Sequence, residues 1–245
     1  MTQGKRIAGF TIIELMLAMS FVGMLLVAIA VTTIHMMNTY SKGITIREVN
    51  QTGRSITEDI QRSIATAAPF SVSPIKEGGT SDQSDSMYVN RQGRGGRLCT
   101  GMYTYAWNYG ESLRSGGNRY NRYSDEGSQI NADSIRLIKV TDMGGALCMN
   151  PGAPIERELA KELLAAGDRD LAVQGTVSVV AGIRDDASNQ ALYAISFTIG
   201  TNDQAQINAA STTCRPPSEG SGREDFCAIN QFNIIARAGN RSGSL

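Results

Sequence analysis

The sequence predicts an α+β protein in which one long N-terminal helix is followed by a β-rich head. Three observations predict this class. Residues 15–34 contain no charged side chain, and a helix of that length is about 30 Å long, the thickness of a bilayer core. Apolar residues then recur at helical spacing until Ile64, and after Pro69 the pattern changes to short runs suited to strands. We expect the second half of the helix to pack on an antiparallel sheet, with loops closed by disulfides.

The helix is predicted to cover residues 10–68 and to have two parts. Residues 10–34 are predominantly apolar on all sides, with Glu14 as the one charged residue, which is typical of a membrane span. Residues 35–68 are amphipathic. The apolar positions that share one face of this second part are Val49, Ile56, Ile60 and Ile64. Pro69 follows as a stop signal.

Basic residues at both ends of the apolar segment bear on its orientation. Lys5 and Arg6 precede it, which favours a cytoplasmic N-terminus and export of the chain that follows. Lys42 and Arg47 on the far side weaken that preference. Export agrees with the cysteines, which all follow the segment. We therefore expect a single-pass protein of the cytoplasmic (inner) membrane, with residues 69–245 exported as a globular head.

The head is predicted to be mainly antiparallel sheet. Its apolar and alternating runs are separated by Gly, Ser, Asn and Asp, as expected for consecutive strands joined by turns. The predicted strands are residues 86–90, 101–108, 133–140, 171–182, 190–200 and 226–237. Residues 171–182 and 190–200 form the most clearly defined hairpin. Residues 154–167 are predicted to form a short helix, because a proline stands at its start and Gly167 at its end.

The four cysteines are predicted to form two disulfides. None of Cys99, Cys148, Cys214 and Cys227 belongs to a CxxC pair, and the only histidine is His35 beside the apolar segment, which disfavours a metal site. Three pairings are open. Nearest-neighbour pairing joins Cys214 to Cys227 around a polar loop and leaves Cys99 for Cys148. Closing the Cys214–Cys227 loop would stabilise the head by about 2 to 4 kcal/mol.

Composition and motifs favour a protein that is not an enzyme. The 23 basic and 23 acidic residues balance, so no net field selects a charged partner. The predicted exported part contains no histidine for acid–base or triad chemistry. The stretch RQGRGGR lacks the Lys-Ser/Thr ending of a phosphate-binding loop. Glu156, Glu158 and Glu162 are expected on the solvated face of the short helix, so we predict no catalytic residue, metal or cofactor.

Residues 91–123 form a basic and aromatic segment. They include six arginines, a single acid (Glu111) and six of the nine Tyr and Trp residues of the chain. Such groups together can bind DNA, a glycan or a protein. The alternative, which we prefer, is that alternate aromatic residues face the core and the arginines keep a long loop soluble. The candidate surface residues are Arg114, Arg119, Tyr120, Arg122 and Tyr123.

The N-terminal stretch KRIAGFTIIELMLAMSF places a carboxylate, Glu14, at the start of the apolar run. An ordinary signal peptide, cleaved after Ala30 at an A-x-A pattern, would avoid a charge there. A signal anchor would let Glu14 reach the membrane surface but would not explain its neighbours. A short basic leader ending in Gly, then Phe-Thr-Ile-Ile-Glu-Leu and a long apolar run, closely resembles the N-terminus of type IV prepilins and pseudopilins.

The resemblance implies a role for each residue of this motif. Residues 1–9 would be a leader that prepilin peptidase removes by cutting between Gly9 and Phe10 on the cytoplasmic face. Phe10 would become the new N-terminus and carry an N-methyl group. Glu14 would pair with the amino-terminal charge of a neighbouring subunit. Such a pair would make burial of Glu14 among helices tolerable, because an unpaired buried carboxylate is strongly destabilising.

The function that the resemblance implies is structural. Removal of nine of the 245 residues leaves 236, which is large for a major pilin, so we expect a minor pilin or pseudopilin. Its partners would be other subunits, contacted through the N-terminal helix, and the inner-membrane assembly platform. After assembly it would lie in an extracellular or periplasmic filament. One departure is that the apolar helix lacks the proline of many major pilins. The alternative is a membrane-anchored or secreted binding protein, or an enzyme, with an ordinary signal sequence.

Overall fold

A computed structural model gives the fold of most of the chain. It describes residues 10–72, 87–91, 94–113, 120–122, 135–150, 152–156, 159–164, 170–185, 189–203, 205–208, 212–216 and 227–239. In these ranges the chain forms one long helix, antiparallel sheets of five and three strands, a two-stranded ribbon and one short helix. The α+β class predicted from the sequence is confirmed at this level. The predicted leader lies outside the described residues.

Helix α1 (Ile12–Ala65) has 54 residues and is about 80 Å long. Its two halves differ in their surroundings. Every residue from Phe10 to Tyr40 is exposed, whereas burial begins at Thr45 and recurs at helical spacing as far as Ile64. The apolar stripe predicted for the second half is thus the buried one. The helix ends where the N–H of Thr66 bonds the carbonyl of Arg62.

The five-stranded sheet is a meander in which neighbouring strands follow chain order. Its strands are β1 (Tyr88–Arg91), β2 (Gly95–Cys99), β3 (Tyr103–Asn108), β4 (Leu137–Thr141) and β5 (Ala160–Glu162), with α2 (Ala146–Met149) between β4 and β5. The sequence predicted β1, β3 and β4, and these three strands are confirmed. Strands β2 and β5 were not predicted.

Strand β2 escapes prediction because it begins with Gly95 and Gly96, and glycine disfavours strands. Here the two glycines permit close approach of the neighbouring strand. A Cβ on Gly96 would lie 2.6 Å from Cζ2 of Trp107, and one on Gly95 would lie 2.3 Å from the Trp107 carbonyl oxygen. The Trp107 ring therefore occupies space that only glycine leaves open.

The short helix predicted at residues 154–167 is wrong. The structure places strand β5 there, paired antiparallel with β4. Two tertiary effects outweigh the helical propensity of this stretch. Strand β4 offers backbone partners along its edge, and the Glu162 carboxylate accepts hydrogen bonds from the N–H groups of Arg136 and Leu137, at 2.8 and 3.2 Å. Glu162 is consequently half-buried rather than on a solvated helix face.

The three-stranded sheet has the order β10-β7-β6. Its strands are β6 (Leu171–Asp185), β7 (Gln190–Thr201) and β10 (Ile229–Ala238), and the ribbon consists of β8 (Ile207–Asn208) and β9 (Thr213–Cys214). The predicted hairpin, β6 with β7, and the predicted last strand are confirmed. A parallel bridge between Tyr109 and Val173 links the two sheets, and the N–H of Gly110 bonds the Val173 carbonyl at 2.9 Å.

The main hydrophobic cluster contains residues from α1 and from both sheets. Ile56 and Ile60 of α1 share it with Trp107 of β3 and Ile195 of β7. Near its edge, α1 approaches β10 so closely that a Cβ on Gly53 would lie 2.0 Å from Cζ of Phe232. The Phe232 ring also stacks on Phe197, with ring centroids 5.5 Å apart. A shift of Phe232 away from α1 would therefore disturb its packing against Phe197.

Gly53→Ala is expected to lower the free energy of unfolding by up to about 2 kcal/mol. Overpacking a filled site costs about 1 to 3 kcal/mol, while alanine in place of glycine favours a helix by about 1 kcal/mol. Urea unfolding of the full chain in detergent measures the difference.

Gly43→Ala is the matched control, because no atom lies within 4 Å of a Cβ built there. This variant should be as stable as the wild type or more stable. Equal stability of the two alanine variants would show that Phe232 makes room at no cost.

Candidate assembly site

The N-terminus of α1 is closed by Thr11 and Glu14. Thr11 has extended backbone and is the N-cap: its side-chain oxygen accepts from the N–H of Glu14 at 3.3 Å. In return the Glu14 carboxylate accepts from the N–H of Thr11 at 3.4 Å and from its hydroxyl at 3.2 Å. This is a capping box. Glu14 therefore has a local role in starting the helix, in addition to the intersubunit role predicted from the sequence.

The spacing Thr11-Ile12-Ile13-Glu14, with Thr three residues before Glu, is the sequence signal of this capping box, and the prediction from the sequence did not include it. A Glu in the first turn also faces the positive end of the helix dipole. Phe10, the predicted mature N-terminus, precedes the cap and is 83% exposed. Gly9, on the other side of the predicted cleaved bond, lies outside the described residues.

The first half of α1 presents apolar side chains on all sides. Ile12, Met24 and Met36 are 79%, 74% and 66% exposed. Among the described residues, α1 is the one helix long and apolar enough to cross a membrane. The length and composition of α1 fit both a membrane anchor and a signal sequence.

An ion pair joins the second half of α1 to the five-stranded sheet. The Asp59 carboxylate accepts from Nζ of Lys139 at 2.9 Å and from the hydroxyl of Tyr105 at 2.8 Å. The Lys139 ammonium also lies 4.0 Å from the ring centroid of Tyr103. Burial raises the pKa of Tyr105, and Asp59 raises it further, so the phenol stays protonated and donates. These contacts connect α1 with β3 and β4.

The aromatic residues of β3, and Tyr109 directly after it, divide between the buried core and its edge. Tyr105 and Trp107 are buried, and Tyr103 and Tyr109 are half-buried. The Tyr109 hydroxyl donates to Oδ1 of Asn90 at 2.8 Å. The alternative preferred for the basic and aromatic segment, that alternate aromatic residues face the core, holds for Tyr105 and Trp107.

The candidate surface residues of that segment are only partly described. Arg114, Arg119 and Tyr123 lie outside the described residues. Tyr120 is half-buried and packs against the cluster that contains the Cys99–Cys148 disulfide, while Arg122 is exposed. A binding surface that includes Arg122 stays a prediction.

Arg97 is a buried structural side chain that sequence reasoning did not distinguish from the other arginines. It is fully buried, and Nε donates to Oδ1 of Asn121 at 2.7 Å. Nη1 donates to the Leu147 carbonyl at 2.8 Å and Nη2 to the Ala153 carbonyl at 2.7 Å. Burial lowers the pKa of Arg97, although a guanidinium stays charged. The ring centroid of Tyr120 lies 5.8 Å from Cζ of the Arg97 guanidinium.

The cysteines are joined as nearest neighbours in the sequence. Cys99 pairs with Cys148 across 49 residues, and Cys214 pairs with Cys227 across 13. The prediction of two disulfides is confirmed. Cys99 and Cys148 are buried, so their bond is covered by the head, whereas Cys214 is half-buried.

Acidic groups of the head serve structural contacts. The Asp170 carboxylate accepts hydrogen bonds from Nε and Nη2 of Arg136, at 2.8 and 2.7 Å. Burial raises the pKa of Glu162, and hydrogen bonds from the backbone N–H groups of Leu164, Leu137 and Arg136 lower it. The part of the chain that the structure describes contains no group of three or more His, Cys, Asp or Glu residues suited to a metal ion.

No protein-family model, curated protein or solved structure matches the chain. The resemblance to type IV prepilins therefore depends on the N-terminal residues alone.

Proposed function

We propose that this protein is a structural subunit, a minor pilin or pseudopilin, of a type IV pilus or a related secretion filament. One observation carries the proposal: Glu14 lies in the first turn of a 54-residue helix whose first half is exposed with respect to the described part of the head and presents apolar side chains on every side. Such a surface is stable in a bilayer or among equivalent helices, and a subunit that moves from one to the other uses it twice.

The geometry of Glu14 supports a role in assembly. The carboxylate lies at the first turn of α1, five residues from the Gly9–Phe10 bond. Cleavage of that bond by prepilin peptidase would create an α-amino group, with an ordinary pKa of about 7.7 to 8.0. A neighbouring subunit would bring this charge to Glu14. The pair would set the register between subunits, because a misplaced helix would leave the carboxylate buried without a partner.

We propose that the second half of α1 packs on the sheets of the head and so attaches the head to the helix. Its buried stripe, the close approach of Gly53 to Phe232 and the ion pair of Asp59 with Lys139 support this arrangement. A subunit built in this way would lie in the inner membrane with its head exported, contact the assembly platform, and then enter the filament through residues 10–34. Membership in the filament requires no catalytic residue or cofactor.

Three variants separate pairing of Glu14 from its role as a helix cap. Glu14→Gln keeps the capping box, since Gln serves there as Glu does, but removes the charge. Thr11→Ala removes the N-cap and keeps the charge. Glu14→Ala removes the charge and the carboxylate's half of the capping box, but it keeps the bond from the N–H of residue 14 to the Thr11 side chain. We expect Glu14→Gln and Glu14→Ala to lower incorporation into sheared filaments at least about tenfold, since a buried charge left unpaired costs about 3 to 5 kcal/mol. Thr11→Ala should assemble almost normally.

Immunoblots of sheared filaments, normalised to the amount of subunit in the membrane, measure this effect. Normal assembly of Glu14→Gln together with failure of Thr11→Ala would assign Glu14 to capping and remove the pairing hypothesis. Mass spectrometry of the mature N-terminus tests processing separately. Loss of Met1 to Gly9 with addition of one methyl group is expected, whereas cleavage after Ala30 would indicate an ordinary secreted protein.

A further inference from the structure

A groove separates α1 from the polypeptide around the Cys214–Cys227 disulfide. The side chains that line it include Lys42, Ile46 and Val49 of α1 on one side and Arg215 and Ile229 on the other. The α1 residues follow one another at helical spacing, so they share one face of the helix. A hydrogen bond of 2.6 Å joins the two sides, in which Nδ2 of Asn230 donates to Oδ1 of Asn50. The groove thus lies at the point where α1 leaves the head.

The two cations of the groove lie on opposite sides of an apolar surface. Lys42 and Arg215 are exposed, and no acid is among the described residues that line the groove. Nε of Arg215 donates to the Ile207 carbonyl at 3.0 Å, which holds the guanidinium beside the groove. Between the charges, Ile46 is 43% exposed and Ile229 is half-buried. An occupant with a negative charge next to apolar groups fits this lining, because a small anion alone would leave the isoleucines uncovered.

The position of the groove excludes a bilayer lipid as that occupant. If residues 15–34 fill the bilayer core, Ile46 lies twelve residues further, about 18 Å along the helix axis. The headgroup layer ends about 5 to 8 Å beyond the core. The groove therefore opens outside the membrane, where a protein chain supplies carboxylates beside apolar side chains.

The groove continues the surface through which subunits would contact each other. Every residue of α1 from Phe10 to Tyr40 is exposed, and Lys42 follows two residues later. A neighbouring subunit that packs against this half of α1, as the proposed function requires, places its own chain beside the groove. Lys42 and Arg215 then lie at the border of the helix contact, where opposite charges on the partner steer it and fix its register.

We infer that this groove binds an acidic segment of a neighbouring filament subunit. A carboxylate of the segment lies between Lys42 and Arg215, and an apolar side chain next to it covers Ile46 and Ile229. The inference rests on the proposed function and adds to it a second subunit contact, made by the base of the head. Contacts between apolar helices discriminate weakly among partners, so the charges of the groove determine which subunit lies next to this one.

Photo-crosslinking in assembled filaments tests this contact. The photoreactive amino acid p-benzoylphenylalanine replaces Ile46 in the full chain, and crosslinked peptides from sheared filaments are mapped by mass spectrometry. We expect a crosslink to another filament subunit, at a segment that contains Asp or Glu. Lys42→Glu and Arg215→Glu should each lower the yield at least about fivefold, because they place like charges together. The yield is normalised to the amount of subunit in the membrane.

Arg47→Glu is the matched control. Arg47 is also an exposed cation of α1, but it lines a different face of the helix with Arg54 and Glu58. Its crosslink yield should equal that of the chain without a charge change. In the partner, replacement of the acid nearest to the crosslink by lysine should restore the yield of Lys42→Glu, which would not occur if that variant were misfolded.

Four outcomes would overturn the inference: crosslinks to lipid or to the same chain alone, a partner segment without an acid, an equal loss in Arg47→Glu, or no loss in Lys42→Glu and Arg215→Glu. Absence of the wild type from sheared filaments would instead contradict the proposed function on which the inference rests.

Discussion

Arg97→Met is expected to lower the free energy of unfolding of the head by at least about 3 kcal/mol, because three buried acceptors lose their donor and each unsatisfied acceptor costs about 1 to 3 kcal/mol. Methionine fills a similar volume but donates no hydrogen bond. The side chain of Asn121 and the carbonyls of Leu147 and Ala153, which now accept at 2.7 to 2.8 Å, would be left without their donor inside the head. The melting temperature should fall by roughly 10 °C.

The fluorescence of Trp107 measures this change. It is the only tryptophan of the chain, it is 3% exposed, and it lies opposite Gly96 in the pairing of β2 with β3. Urea unfolding of full-length protein in detergent, followed at this residue, reports on the strand next to Arg97. Met in place of an exposed arginine, Arg122→Met, controls for loss of charge and should change stability by less than about 0.5 kcal/mol.

Arg97→Lys distinguishes charge from geometry. Lysine keeps the positive charge but lacks the planar fork that reaches three acceptors at once. We expect a loss of stability close to that of Arg97→Met. If the lysine variant were as stable as the wild type, the network around the guanidinium would contribute nothing that a point charge does not.

The long helix and the hairpin could be predicted because their signals are local. Residues 15–34 lack charge, and the stripe from Val49 to Ile64 repeats at helical spacing, so neither requires knowledge of distant residues. The alternation in β6 and β7 likewise records one face that is buried. Strand β5 could not be predicted because its contacts are distant in sequence. The partners of Glu162, the N–H groups of Arg136 and Leu137, are 26 and 25 residues away.

The candidate site shows the same division. Glu14 is conspicuous in the sequence because a carboxylate is rare at the start of an apolar run, and its partner in the cap is only three residues away. Arg97 looks like any other arginine of the basic segment. What makes it different is three-dimensional: its carbonyl acceptors lie 50 and 56 residues further along the chain. Sequence patterns identify a residue by its neighbours, and Arg97 has its neighbours elsewhere.

Replacement of Cys99 and Cys148 by alanine is expected to lower the free energy of unfolding by about 4 kcal/mol in the chain-entropy model, because the bond closes 49 residues. The Cys214–Cys227 bond closes 13 residues, and its removal should cost about 3 kcal/mol. Guanidinium unfolding of the two double variants, read at Trp107, measures both. The reverse order of losses would contradict the expectation that the longer loop gains more from closure.

The Cys99–Cys148 bond and Arg97 hold the same segment to the same strand. Cys148 and Leu147 both belong to α2, and their partners Cys99 and Arg97 are two residues apart in β2. Once either connection is lost, α2 has more freedom to leave the sheet, and the other connection then stabilises less. We therefore expect the variant that lacks both to lose at least about 1 kcal/mol less than the sum of the separate losses, as residues that share a partner do. Strict additivity, within about 0.5 kcal/mol, would mean that the two connections act on α2 independently.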